Sequence, residues 1–266
     1  MYQGNQDAQT WQDFVEYSRG LFSAESDGVN SQQPDNVHEN MRIRVVVRKR
    51  PLSRRESEKQ DVDVIQPVPS RGHIIVHQPK TRVDLTREVE THNFAFDNSF
   101  NLNCSNREIY NSTTSNLIPT MFNGGRGSVF AYGQTGSGKT FTMMGAAMTG
   151  VRGDRGELNG NEGLYYLAAR DVFETRRQEQ FKHLIVTVSL FEIYGGKLFD
   201  LLNARKIVKC LEDAKQKVCF LGLSEHAVHS ADEVMDLIES GGSQRSTGTT
   251  SANADSSRSH AVLQLR

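Results

Sequence analysis

The pattern of apolar and polar positions changes at about residue 41. Over residues 1–40 polar and acidic residues dominate, and one apolar stripe comprises Trp11, Phe14, Val15, Tyr17 and Leu21. This stretch is predicted to be either a short helix followed by a flexible linker or a partly disordered tail. From residue 41 onward, short apolar runs alternate with amphipathic stretches. The pattern therefore predicts an N-terminal extension over residues 1–40 and one folded domain over residues 41–266.

Strands and helices are both predicted in the second region. The apolar runs that predict strands are residues 42–47, 62–68, 73–77, 128–132, 184–193 and 260–266. Helical spacing predicts helices over residues 106–122 and 163–179, and a third from Ser230 to Gly241–Gly242. Pro119 should kink the first of these helices. The alternation of helices and strands predicts an α/β fold with helices on both faces of a sheet.

Composition and charge are those of a cytosolic globular protein. The net charge is -1, so a global positive field for nucleic acid is absent. The three cysteines form no paired motif, which favours a reducing compartment. The longest apolar run, residues 184–190, is far too short for a membrane span, and the N-terminus has no signal-peptide pattern. We expect a cytoplasmic protein whose partners are neither nucleic acid nor membrane.

A phosphate-binding loop is the strongest motif in the chain. Residues 133–140 fit the pattern of Gly, four residues and Gly-Lys-Ser/Thr. Glycines let backbone N–H groups converge on phosphates, and the helix expected after the loop points its positive end at them. The residues of this loop are Gly133, Gln134, Thr135, Gly136, Ser137, Gly138, Lys139 and Thr140.

Two side chains of the loop carry the chemistry of phosphoryl transfer. Lys139 is expected to supply positive charge to the β- and γ-phosphates, and Thr140 to offer its hydroxyl to Mg²⁺. A nucleotide with Mg²⁺ is therefore the predicted ligand. A GTPase is the weaker alternative, because residues 1–266 contain no Asn-Lys-x-Asp tetrad to read guanine, although one could lie beyond them.

Four segments, in the expected order, resemble the kinesin motor domain. Residues 131–145 resemble the kinesin phosphate-loop signature, and residues 48–51 the segment that packs on adenine. Residues 191–194 with 200–202 resemble the long strand and its exit, and residues 253–260 the first nucleotide switch. The resemblance implies a P-loop NTPase with a central, mostly parallel or mixed sheet between helices. It implies an ATPase that uses ATP and Mg²⁺ and is stimulated by microtubules.

The resemblance also assigns residues to the adenine. Arg48, Arg50 and Pro51 lie in the segment that contacts the purine. Arg48 and Pro51 offer flat surfaces, and Phe141 offers another from the far side. Taken alone, Arg48 reads as a surface charge and Phe141 as a core residue.

The first switch carries the residues expected to act on the γ-phosphate. Asn253 can donate a hydrogen bond to it, and Ser256 and Ser257 can contact the metal, the phosphate or the attacking water. By resemblance Ser257 joins Thr140 as a Mg²⁺ ligand, and Arg258 pairs with a glutamate of the second switch. A Ser-rich loop is more often a turn, but this one follows a predicted helix and precedes a strand, as a switch does.

Several stretches resemble the internal-motor, microtubule-depolymerising kinesins. Arg82, Val83 and Asp84 resemble the Lys-Val-Asp tip that contacts tubulin in this group, with Arg in place of Lys. The predicted partners are tubulin and microtubules, and the predicted location is the cytoskeleton. A solvated hairpin tip is the alternative interpretation of these three residues.

Two departures from the group leave a second function open. Residues 1–40 are acidic where the group has a basic neck, and the Asp-x-x-Gly-x-Glu motif of the second switch does not occur in residues 1–266. The motor region is therefore expected to be incomplete at its C-terminal end, as a fragment or a truncated product. The first hypothesis is a depolymerising motor ATPase. The alternative is a catalytically incomplete fragment that binds nucleotide or tubulin.

Overall fold

The computed structural model describes residues 10–26, 42–146, 162–246 and 259–266. These residues form two compact units, one within residues 1–104 and the other within residues 105–266. Both units mix helices with strands, as the predicted α/β class requires. The predicted boundary at residue 40 stays a prediction.

The first unit is built on a three-stranded antiparallel sheet. Its strands β2, β3 and β4 pair in that order, and a separate pair, β1 with β5, is parallel. The strands predicted over residues 62–68 and 73–77 are present as β2 and β3, which pair with each other. The elements are α1 (Trp11–Ser26), β1 (Val46–Arg48), α2 (Arg54–Glu58), β2 (Ile65–Val68), β3 (His73–Thr81), β4 (Arg87–Ala95) and β5 (Asn98–Phe100).

The strand predicted over residues 42–47 is shorter than the apolar pattern suggests. Only Val46–Arg48 form β1, because β5 supplies three pairing positions and no more. Ile43 and Val45 are exposed. An apolar run predicts a strand only as far as a neighbouring backbone continues the ladder.

Helix α1 packs on β3 and β4 with a face that differs from the predicted stripe. Val15 and Ser18 are buried, whereas Tyr17 and Leu21, both predicted apolar members of the helix, are exposed. The buried face is nevertheless helical in spacing, since residues 11, 14, 15, 18 and 19 are the less exposed ones. A polar serine occupies this face because it hydrogen-bonds to His77 on β3 (2.8 Å).

The second unit is built around one long central strand. Strand β6 pairs antiparallel with β11 along most of its length and with β7 and β10, and β8 and β9 extend the sheet beyond β7. The elements are α3 (Asn106–Thr113), α4 (Leu117–Phe122), α5 (Lys139–Met144), α6 (Leu164–Arg176), β6 (Val186–Tyr194), β7 (Lys197–Asp200), β8 (Lys206–Glu212), β9 (Val218–Leu221), β10 (His226–Val228), α7 (Ala231–Ser246) and β11 (Ser259–Leu265).

A central sheet that is mostly parallel or mixed was expected, but the sheet around β6 is antiparallel throughout the described residues. Every pairing of β6 is antiparallel, and β1–β5 is the single parallel pair in the described part of the chain. The core of the second unit lies where α6 and α7 meet β6. Val172, Val188 and Val234 are each at most 1% exposed there.

The helix predicted over residues 106–122 is divided in two. Helix α3 ends at Thr113 and α4 begins at Leu117. Pro119 has no N–H and cannot continue the ladder by donating to Ser115, so the break falls just before it. The predicted kink is confirmed, and Gly124 ends α4 with a positive φ of 78°.

Residues 128–132, predicted to be a strand, form no regular structure. Phe130 and Tyr132 are 85% and 99% exposed. No strand of the described ranges pairs with this segment, so its backbone has no ladder to join.

Helix α7 also departs from its prediction, because it continues through Gly241 and Gly242 to Ser246.

Candidate nucleotide-binding site

The phosphate loop, residues 133–140, is a tight turn that three glycines make possible. The φ angles of Gly133, Gly136 and Gly138 are 152°, 82° and 95°, values that other residues rarely adopt. The N–H of Ser137 donates to the carbonyl of Gln134 (3.1 Å) and closes the turn. Helix α5 begins directly after the turn, at Lys139.

Lys139 is folded back over this loop. Its Nζ donates hydrogen bonds to the carbonyl oxygens of Gly133 (2.6 Å) and Gln134 (2.8 Å). No carboxylate within the described ranges forms an ion pair with this ammonium group. The ammonium group is therefore held beside the loop by neutral carbonyl dipoles, where it can form a charge-assisted hydrogen bond to a bound anion.

The rest of the loop also fits a phosphate group. Thr140 is exposed, so its hydroxyl is accessible to a metal ion. Ser137 has a buried Oγ without a hydrogen-bond partner among the described residues. A Cβ on Gly133 would lie 2.5 Å from this Oγ, so only glycine leaves the space open. A bound nucleoside triphosphate with Mg²⁺ would offer acceptors to the Ser137 hydroxyl and to the charge of Lys139.

Helix α3 supports the loop from behind through a residue that the sequence motifs did not reveal. Asn106, fully buried, donates from Nδ2 to the carbonyl oxygen of Phe141 in α5 (3.0 Å). Phe141 itself is half-buried. In the sequence, Asn106 is only the residue that directly follows the capping serine Ser105. Nothing in the local pattern indicates that its side chain contacts α5.

The three residues predicted for adenine lie in the first unit, whereas the loop lies in the second. Arg48 donates to the carbonyl oxygen of Cys104 (3.0 Å), and its burial lowers the pKa of the guanidinium. Arg50 forms two hydrogen bonds to Glu56 (2.6 and 2.7 Å), and Pro51 is exposed. Contact between these residues and a purine stays a prediction.

The predicted first-switch residues, Asn253, Ser256, Ser257 and Arg258, lie outside the described residues. The strand expected after them is confirmed as β11. The end of α7 is joined to the start of β11 by Arg245, which donates to Ser259 Oγ (2.6 Å).

A buried carboxylate on the long strand β6 lies next to Arg245. Glu192 on β6 has a 4% exposed side chain and pairs with Arg205 (2.9 Å) and with Arg245 (3.3 Å). Arg205 follows Glu192 by 13 residues and Arg245 lies on α7, so the strand motif alone did not predict either contact. The two cationic partners offset the cost of burying the carboxylate.

The predicted tubulin-binding residues sit at the end of the β3–β4 hairpin. Val83 is fully exposed, and Leu85 has a positive φ of 66° in the turn. Arg82 Nε donates to Glu88 (2.6 Å), and Asp84 accepts from the Thr86 hydroxyl (2.6 Å). The structure thus brings Arg82, Val83 and Asp84 together at one exposed turn.

Neither a membrane span nor a metal cluster is found in the part of the chain that the structure describes. None of the helices there is long and apolar enough to cross a bilayer. No group of three or more His, Cys, Asp or Glu side chains among those residues is placed to hold a metal ion.

Comparison with known protein families gives one match. The family model of the kinesin motor domain matches residues 48–266, most of the chain. The match begins at the segment of Arg48 and contains the phosphate loop, and it also contains helix α7 and strand β11, which flank the predicted first switch.

Proposed function

The chain belongs to the kinesin motor-domain family, and from that premise we propose that it forms the motor of an ATP-dependent, microtubule-depolymerising kinesin. Kinesin motor domains are microtubule motors that bind nucleotide with Mg²⁺, hydrolyse ATP and associate with the cytoskeleton. The finer proposal, depolymerisation, depends on the exposed β3–β4 hairpin and its Arg82–Asp84 tip. This hairpin is the observation that carries the proposal.

The phosphate loop would supply the nucleotide chemistry. Lys139 would exchange its two carbonyl acceptors for the β- and γ-phosphates, and Thr140 would ligate Mg²⁺ together with Ser257. Asn253, Ser256 and Arg258 would act around the γ-phosphate, as the family motif implies. The transferred group needs positioning and charge neutralisation rather than a covalent nucleophile. Mg²⁺, when bound, neutralises charge on the phosphates.

The hairpin tip has features that suit it to a protein surface. Two side-chain contacts, Arg82 with Glu88 and Asp84 with Thr86, hold the turn without help from a partner. Between them Val83 and Leu85 are exposed apolar groups, 105% and 81% accessible. A preorganised turn loses little conformational entropy when it binds, and two adjacent apolar groups provide surface to bury. These features support contact with tubulin over a merely solvated turn.

The proposal is tested by removing the tip and measuring two activities separately. Replacement of Arg82, Val83 and Asp84 by Ala should leave basal ATP turnover nearly unchanged, because the tip is not part of the loop. Tubulin release from stabilised microtubules, measured by sedimentation with ATP, should fall sharply. The matched control is Lys80→Ala with Glu90→Ala, which removes an exposed ion pair of the same hairpin (3.1 Å). Equal release by the tip variant and the control would refute a depolymerising role.

A second candidate is nucleotide or tubulin binding without turnover. One observation favours it: residues 128–132, which lead into the phosphate loop, are exposed and pair with no strand of the described ranges. A loop held only from the α5 side could bind nucleotide and still fail to organise the γ-phosphate. Phosphate release from pre-bound ATP distinguishes the two. Binding of ATP without release, with and without microtubules, would support the second candidate.

A further inference from the structure

The phosphate-loop helix is restrained by a side chain from another helix. Asn106, the first residue of α3, is 0% exposed and donates from Nδ2 to the Phe141 carbonyl oxygen at 3.0 Å. Phe141 follows Lys139 by two residues in α5. A buried amide that meets a backbone carbonyl directly behind the loop can control how the loop is oriented.

Helix α5 is short and depends on its surroundings for its direction. It spans six residues, Lys139–Met144, which make about 1.7 turns. The Thr142 N–H donates to Gly138 and the Gly145 N–H donates to Phe141 (both 3.0 Å). So short a helix is unstable alone, and contacts from outside it, including the packing of its two methionines on the core around α6, decide its tilt. Because α5 starts at Lys139, that tilt also places Lys139 and Thr140.

Helix α3, by contrast, is anchored at several points. Ser105 and Glu108 form a complete capping box at its start. Tyr110 donates from its hydroxyl to Asp171 on α6 (2.6 Å), and Arg107 pairs with Glu162 (2.9 Å). Asn106 therefore extends from a fixed helix to a short one, and the restraint acts on α5.

We propose that Asn106 is a positioning residue of the phosphate loop, which sets nucleotide affinity by holding the Phe141 carbonyl and thereby the direction of α5. The inference rests on the proposed binding of ATP at this loop and adds to it a residue outside the loop motif. If Asn106 had only a structural role, it would contribute to the stability of the unit and not to nucleotide affinity.

A matched pair of variants separates the two roles. Asn106→Leu removes the hydrogen bond from α3 to the Phe141 carbonyl of α5, whereas Tyr110→Phe removes the hydrogen bond from α3 to Asp171 of α6. In the full chain, the dissociation constant of a fluorescent ATP analogue with Mg²⁺ is measured beside the urea midpoint of unfolding. Asn106→Leu should weaken binding about five- to tenfold, the usual value of one buried hydrogen bond. Tyr110→Phe should lower the urea midpoint comparably and leave affinity within about twofold.

A second variant tests the donor itself and remains informative if Asn106→Leu does not fold. In Asn106→Asp, a protonated carboxyl can donate to the Phe141 carbonyl, whereas the carboxylate can only repel it. Its affinity, divided by that of the wild type at the same pH, should therefore increase as the pH falls from 8 to about 5.5. A merely structural asparagine predicts a ratio that does not change with pH.

The outcomes distinguish this inference from the proposed function. If Lys139→Ala has no effect on affinity, the nucleotide site itself is wrong and the inference fails with it. If Lys139→Ala abolishes binding while Asn106→Leu and Tyr110→Phe are alike, Asn106 has only a structural role and the inference alone is overturned. A ratio for Asn106→Asp that is independent of pH overturns it equally.

Discussion

The carbonyl oxygen of Gly133 accepts a hydrogen bond of 2.6 Å from the ammonium group of Lys139. The first residue of the phosphate loop thus holds the residue that supplies its positive charge. The contact is made with Gly133 at a φ of 152°, where an added Cβ would lie 2.5 Å from Ser137 Oγ. We therefore expect the position of the lysine to depend on the conformation of this glycine.

Gly133→Ala should weaken nucleotide binding strongly without unfolding the chain. The added Cβ would lie 2.5 Å from Ser137 Oγ in a backbone conformation unfavourable for alanine. The turn must open, which displaces Lys139, and ATP affinity should fall at least about tenfold, as when a well-placed charged contact is lost. The control is Gly124→Ala, where φ is also positive at 78° but the Cβ meets nothing. It should cost about 1 kcal/mol of stability and leave titrations of fluorescent ATP unchanged.

Two adjacent glycines in α7 should respond in opposite directions to alanine. A Cβ on Gly241 would lie 2.5 Å from Cδ2 of Leu190, a side chain that is 4% exposed and would have to shift within the core, whereas a Cβ on Gly242 meets nothing. Alanine favours a helix over glycine by about 1 kcal/mol. Gly242→Ala should therefore raise the free energy of unfolding by about 0.5–1 kcal/mol, and Gly241→Ala should lower it by about 1–3 kcal/mol through overpacking. Urea unfolding of both variants checks this, and a stabilising Gly241→Ala would mean that α7 does not contact β6 there.

His77 should make stability fall as the solution becomes acidic. Burial, with a further contribution from the charge of Arg19, lowers its pKa from the usual 6.5. Its Nε2 donates to Gln66 and its Nδ1 accepts from Ser18 (both 2.8 Å), so the neutral ring satisfies both partners. The unfolded chain binds this proton more readily than the folded one, so the contribution is present above pH 6.5 and is lost as the pH falls through the lower, folded pKa.

The His77 ring is observed directly by NMR of the full chain. Its titration midpoint should lie below 6.5, and it should rise when α1 is loosened by Val15→Ala, because water then reaches the ring. His183→Gln, a change at an exposed residue of the other unit, should leave the midpoint unchanged. A midpoint above 6.5 would contradict the burial of His77 beneath α1.

The pKa of Glu56 should lie well below the pKa of other glutamates. A hydrogen bond from Arg50, helped by the backbone and hydroxyl of Ser53, lowers its pKa from 4.5 to about 2. Because the folded pKa is depressed, the contribution of Glu56 is present above pH 4.5 and is lost as the pH falls toward 2. Arg50→Gln should raise the pKa measured by carboxyl NMR. Arg54→Gln, which breaks the neighbouring pair with Glu58, should leave that pKa unchanged.

The same measurement tests the predicted adenine contact of Arg50. If Arg50 leaves Glu56 for the purine, saturating ATP should raise the pKa of Glu56. An unchanged value with bound ATP would mean that Arg50 stays in its ion pair and does not contact the base.

Local patterns in the sequence were sufficient for features that neighbouring residues determine. The turn and helix start of the phosphate loop and the strand 260–266 were predicted within one or two residues. A hairpin tip at Arg82–Asp84 was foreseen as well, but β3 extends to Thr81 beyond its predicted end and β4 was not predicted. The kink at Pro119 was predicted as well, since the missing N–H acts on its own helix. The kinesin family, inferred from ordered motifs, is confirmed by the family match. Depolymerisation stays a prediction, because it depends on a partner.

The tertiary structure decided which of these segments found a partner and which face each one buried. Residues 128–132 have the composition of a strand but remain exposed, and Tyr17 looks apolar yet lies on the outer face of α1. Gly241 reads as a helix end, but it is a point of close contact between α7 and Leu190. Asn106 reads as an ordinary polar residue until α5 is placed against it. Burial and hydrogen-bond pairing depend on groups that are far away in sequence, and local propensity does not predict which groups these are.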